Sequence, residues 1–129
     1  AIIANRYEVM AKYATELRAA CGAELDRLKA QGGENTARIK QMLIAKRWLH
    51  RDQDKIPAEL RDSVAQAAAS SASLTQLVTM REELRQLWTR TNVSAEQLVA
   101  DLQAWCRRAE DSGNAALRDF SMKLRAAHA

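Results

Sequence analysis

Proline occurs once in the 129 residues, glycine four times, and cysteine and histidine twice each. Aromatic side chains make up only 5%. Ile and Val together fill 10 positions. A sandwich, a barrel or a doubly wound sheet consumes these residues in its strands and tight turns, so all three are excluded. Cys21 and Cys106 lie 85 positions apart with no C-x-x-C spacing, which suggests neither a disulfide framework nor a zinc module and fits a reduced, cytosolic setting. The residues three before His50 and His128 are Arg47 and Arg125, so the Glu-x-x-His pattern of helical di-iron sites is missing. The longest stretch without charge, Ser63 to Met80, is broken by Ser, Thr and Gln and does not read as a membrane span.

What is abundant points one way. Ala occupies 25 positions and Leu 14, the residues that lose least on entering a helix. The fold class is therefore all-α, with about six helices in a single bundle. The chain opens Ala1-Ile2-Ile3-Ala4 with neither an initiator Met nor a signal pattern, and reads as one helical domain over residues 1–129 taken from a longer protein.

Apolar or small residues at Ile3, Tyr7, Met10, Ala14, Leu17, Cys21, Leu25 and Leu28 alternate steps of three and four. This predicts a long first helix from Ile2 to Ala30, stopped by Gln31-Gly32-Gly33. Roughly 43 Å of helix exceeds what a bundle of this size covers. The stripe Ile3, Tyr7, Met10 and Leu17 is therefore a candidate self-association surface.

A second helix is expected from Glu34 to Leu49, with Ile39, Met42, Leu43 and Trp48 on one side. Asp52 to Ile56 reads as a loop, and Pro57 as the first turn of a third helix. A fourth helix runs from Leu74 to about Arg90 and is broken by Asn92-Val93-Ser94. Ser94 with Gln97 forms a capping box for a fifth helix, which ends at Ser112-Gly113-Asn114. Leu117, Phe120 and Leu124 mark the sixth. Trp48, Trp88 and Trp105 each close an apolar stripe and are expected as core anchors.

Charge is mixed, 20 basic against 16 acidic residues, but it is not evenly spread. The second helix is the basic part of the molecule, carrying Arg38, Lys40, Lys46, Arg47 and Arg51 against Glu34. Lys40, Arg47 and Arg51 stand seven and four apart and share a face. Lys40, Lys46, Arg47 and Arg51 are therefore the candidate contact with an anionic surface, either phosphates of nucleic acid or lipid headgroups. No helix-turn-helix signature accompanies them. No catalytic, cofactor or metal residues are assigned: His50 beside Arg47 and Arg51 suits a helix C-terminus, and Cys21 and Cys106 fall on or beside apolar stripes, as inert thiols do.

Longer strings carry two family resemblances. Asn5-Arg6-Tyr7-Glu8-Val9-Met10-Ala11-Lys12-Tyr13-Ala14, Trp48-Leu49-His50-Arg51-Asp52, Met80 through Trp88, and Leu102 through Glu110 with Ser112-Gly113 and Leu117-Arg118-Asp119-Phe120 together resemble the C-terminal region of proteobacterial histidine-box fatty-acid desaturase-like proteins. That resemblance implies a parent in the inner membrane that uses iron and oxygen on acyl chains. This chain would then be a non-catalytic accessory domain on the cytoplasmic side, with no cofactor of its own, partnered by its parent, a second copy or an anionic membrane.

The second half is also similar to the helical tail of acidic-triad insertion-sequence transposases, which shares the Leu-Trp ending of one helix and the Trp, Ala-Glu-x-Ser-Gly and Leu-x-x-Phe pattern of the last two. That similarity implies an appendage assisting DNA binding or self-association. The string from Asn5 to Ala14 favours the desaturase-like reading. Neither resemblance carries a catalytic residue onto any position here.

Overall fold

The computed structural model describes residues 5–90 and 93–127, and among these the chain is all-α. The helices are α1 (Arg6–Gln31), α2 (Thr36–Trp48), α3 (Arg61–Ala69), α4 (Ala72–Gln86), α5 (Ala95–Asp111) and α6 (Ala115–Ala127). Residues 5–13 with 79–90 and 93–127 make one compact unit, and residues 14–78 make the other. α1 passes from the first to the second after Tyr13, and α4 returns after Val78. No helix among the described residues is long and apolar enough to cross a membrane.

Local chemistry sets the helix ends. α1 begins where Asn5 Oδ1 accepts hydrogen bonds from the amides of Tyr7 (2.9 Å) and Glu8 (3.2 Å), an N-cap that satisfies two otherwise orphaned donors. It ends where Gly32 and Gly33 take φ of 69° and 77°, and Asn35 Nδ2 donates back to the Leu28 carbonyl at 3.0 Å. Ser94 Oγ accepts from the Gln97 amide at 3.0 Å. The Gln97 side chain turns to Asp101 at 2.9 Å instead of closing the expected reciprocal box. Gly113, at φ 77°, turns the chain between α5 and α6, and the buried Asn114 caps α6 through the amides of Ala116 and Leu117.

Several sequence expectations shift. The buried stripe at the start of α1 is Val9 and Tyr13, not Tyr7 and Met10: Tyr7 is 80% exposed and Met10 half-buried. Both pairs continue into Ala14 and Leu17 by helical steps. Tyr13 is chosen because its ring meets those of Phe120 (4.9 Å) and Trp105 (6.2 Å) edge-on. Ile3, Asn92 and His128 lie outside the described residues. The expected loop at Asp52 to Ile56 contains a 3-10 turn, Gln53–Lys55, and buries Ile56. Pro57 precedes a second 3-10 turn, Ala58–Leu60, so α3 starts one turn later than expected. α4 stops at Gln86, and Leu87, Trp88 and Thr89 follow in i→i−3 bonded turns.

In the first unit α5 packs on α6 around Trp105, Phe120, Leu117 and Leu124. Trp105 Nε1 donates to the Met80 carbonyl at 2.9 Å, and its ring meets Phe120 edge-on at 5.7 Å. Of the three tryptophans only Trp105 is fully buried; Trp48 and Trp88 are half-buried. In the second unit α2 packs on α3, with Met42 and Ala45 facing Val64, Ala67 and Ala68 in a shared core. Gln41 Nε2 and Gln66 Oε1 bridge the two helices at 2.8 Å.

Candidate functional site

The inward face of α2 is apolar: Met42, Ala45 and, just past the helix end, Leu49 are buried. That burial orients the opposite face outward. Lys40, Arg47 and Arg51 are all exposed, and Leu43, expected on the buried side, is 51% exposed between Lys40 and Arg47. A leucine three residues from one cation and four from the next shares their face by helical geometry. Lys46 points elsewhere. Its ammonium lies 3.6 Å from where a Cβ on Gly22 would stand, so it leans across α1 while remaining exposed. The structure thus joins Lys40, Arg47 and Arg51 and sets Lys46 to one side.

The charge on α2 is unneutralised. Arg38, Lys40, Lys46, Arg47 and Arg51 make no ion pair among the described residues. Elsewhere several cations are paired with carboxylates: Arg27 with Glu24 (2.8 Å), Arg85 with Glu82 (2.6 Å), Arg125 with Glu110 (2.6 Å), and Arg90 with Asp101. These pairs pull Glu82, Asp101 and Glu110 below the ordinary carboxylate range. For Glu82 and Glu110 the first cause is the arginine's hydrogen bond; for Asp101 it is that of Gln97, followed by Arg90. At the end of α2 a different partner appears. The guanidinium carbons of Arg47 and Arg51 lie 5.5 and 5.9 Å from the centre of the Trp48 ring, within cation–π range.

Among the described residues no catalytic constellation accompanies this face. No group of three or more His, Cys, Asp or Glu positioned for a metal ion occurs among the described residues. Cys21 and Cys106 are buried. Burial pushes the Cys21 thiol up to about 11 against the opposing charge of Lys46, and burial likewise raises Cys106. Both are thereby poor nucleophiles at neutral pH. Tyr13 is raised by burial as well. His50 sits half-buried in the turn after α2. A pocket of about 200 Å³ opens beside Arg27, Arg38, Gln41 and Ser70, smaller than ordinary small-molecule sites, and Glu24 at its edge already neutralises Arg27.

The described residues of the self-association stripe differ in exposure. Tyr7 is open to solvent and Met10 half-buried, whereas Leu17 is completely buried. Sequence reasoning missed Leu43 and Trp48 as members of the basic face. The three-and-four spacing Lys40-Leu43-Arg47 was the available signal for Leu43. Nothing in the sequence signalled that Trp48 gathers two guanidiniums.

In comparison with known protein families, a family model described as a transposase, of the ISL3 type, matches residues 1–129. No curated protein and no solved structure matches the chain.

Proposed function

Since this chain belongs to the ISL3 family of transposases, we propose that its helices form a non-catalytic, DNA-contacting part of such an enzyme, with the outer face of α2 set against the phosphate backbone. The family match agrees with the transposase side of the sequence resemblance and lends no support to the desaturase-like side. An acyl-chain role and a membrane partner are therefore set aside in favour of DNA.

The observation that carries the reading is the concentration of exposed, unpaired cations on one element of an otherwise charge-balanced chain. A surface evolved only for solubility has no need to keep its carboxylates away from one helix, because mixed charge serves that purpose. Phosphate recognition does need it, since each cation that replaces a condensed counterion contributes through counterion release. The face is also bounded: Asp52 follows directly after Arg51, and Asp54 comes next but one.

With Lys40, Arg47 and Arg51 each neutralising a phosphate, the slope of log affinity against log salt is about −2.7, so binding weakens about 40-fold between about 50 and 200 mM salt. Fluorescence anisotropy on a labelled 20-base-pair duplex (length about two helical turns) measures this directly. The double substitution R47E with R51E is expected to flatten the slope to about −0.9 or abolish binding. Wild-type binding indifferent to salt, or a double variant that binds as tightly as wild type, contradicts the proposal.

A further inference from the structure

We infer that Trp48 is a positioning residue for DNA: its ring holds the guanidiniums of Arg47 and Arg51 together, ordered and still fully charged, for the phosphate backbone. The inference rests on the DNA-contacting reading above and adds the device that makes the end of α2 its strongest point.

A long arginine side chain loses considerable rotamer freedom when it is fixed against a ligand. Holding it in place beforehand removes part of that cost from binding. Other arginines of this chain are held by carboxylates. Arg27, Arg85 and Arg125 are fixed by Glu24, Glu82 and Glu110, and a carboxylate that orders a guanidinium also cancels its charge. Arg47 and Arg51 are fixed by a ring instead, which is neutral and attracts the cation through its quadrupole. Among the described residues no carboxylate pairs with either.

Local geometry makes the arrangement natural. Trp48 is the last residue of α2, and the chain turns immediately after it, with the Arg51 amide donating to the Trp48 carbonyl at 3.0 Å. That turn carries Arg51 back beside the ring that Arg47 already flanks from the preceding position. Both guanidinium carbons lie within 6 Å of one centroid, so they stand no more than about 11 Å apart, within reach of two or three successive phosphates at about 3.4 Å of axis each. The ring is half-buried, which fixes its own orientation. The carbonyl end of the helix favours cations there as well.

The test separates positioning from charge. Duplex affinity is measured across salt for wild type, W48L, W48F and R47E with R51E, all in the full 129-residue chain, with circular dichroism confirming helical content. Removing the ring while keeping both charges is expected to weaken binding by roughly three- to tenfold at every salt concentration, with the slope near −2.7 unchanged. W48F, which keeps an aromatic face, restores most of the loss. Y7L serves as the control: Tyr7 lies outside α2, its ring centre 5.9 Å from the Arg6 guanidinium carbon, and its loss leaves affinity unchanged.

Should W48L fold poorly, the wild-type chain still decides the matter by NMR. The side-chain methylene protons of Arg47 and Arg51 are expected upfield from the ring current of Trp48, and further perturbed on adding duplex. A folded W48L with wild-type affinity, or arginine methylenes at ordinary shifts, overturns the inference while leaving the DNA reading intact if R47E with R51E still loses binding. Wild-type protein that does not bind duplex overturns both.

Discussion

Replacing Trp105 by alanine tests the packing of the first unit most severely. The side chain is fully buried, meets Tyr13 and Phe120 edge-on at 6.2 and 5.7 Å, and donates to the Met80 carbonyl at 2.9 Å. Truncating a buried Trp costs about 3–5 kcal/mol through lost transfer energy and an unfilled cavity. The aromatic pairs and the hydrogen bond, each worth about 1 kcal/mol, place W105A toward the upper end of that range. The Met80 carbonyl lies inside α4, where the helix itself supplies a donor, so no orphaned acceptor adds to the cost. W105F keeps a ring against Tyr13 and Phe120 and forfeits the indole bond and some volume, for about 1–2 kcal/mol. Urea titration followed at 222 nm reads the difference: with a slope near 2 kcal/mol per molar, W105A lowers the midpoint by roughly 2 M and W105F by less than 1 M. A W105A midpoint within about 0.3 M of wild type would refute the claim that this aromatic cluster is the centre of its core.

Other substitutions probe the helix ends and the titrating groups. S94A removes the cap on the Gln97 amide and is expected to lower stability by about 1 kcal/mol by urea titration. G113A meets no neighbouring atom but forces an L side chain to φ 77°, costing about 1 kcal/mol from backbone strain alone. Cys21, held protonated up to about 11 by burial, keeps its proton in the fold while the unfolded chain releases it near 9. Stability should therefore fall as pH rises through that window, and less steeply in C21A. At the acid end, Glu110 is depressed by Arg125 and Ser121, so its contribution is present above the ordinary carboxylate range and lost as pH falls through its folded value. E110Q should flatten that limb of a stability–pH curve.

The fold was legible where local chemistry acts alone. Composition gave the helical class, because 25 alanines and single-figure Gly and Pro counts admit little else. Ser94 with Gln97 marked the start of α5, because a capping side chain reads the same in sequence and in space. Competing faces were harder. In α1 the Tyr7-Met10 and Val9-Tyr13 stripes both obey helical spacing, and only the distant Trp105 and Phe120 select Tyr13. In α2 the four apolar residues Ile39, Met42, Leu43 and Trp48 span more of the circumference than one packed face, so periodicity could not say that Leu43 remains outside. The basic residues of the site were visible as a charge imbalance. Their freedom from carboxylates was not, since an ion pair such as Arg125 with Glu110, 15 residues apart, is made by tertiary packing.

That freedom, on the most basic stretch of the chain, is the basis of the DNA-contacting proposal. In a chain where most acidic and basic side chains are interspersed, one helix end keeps its cations exposed, ordered by a ring and bounded by Asp52 and Asp54. Lysine footprinting in the presence of duplex DNA tests this claim most directly, because the modification reports each lysine separately in the intact chain. Lys40 should be shielded most and Lys46 partly, while Lys12, Lys29, Lys55 and Lys123 react as in the free protein. Shielding at any of these four with Lys40 fully reactive contradicts the account.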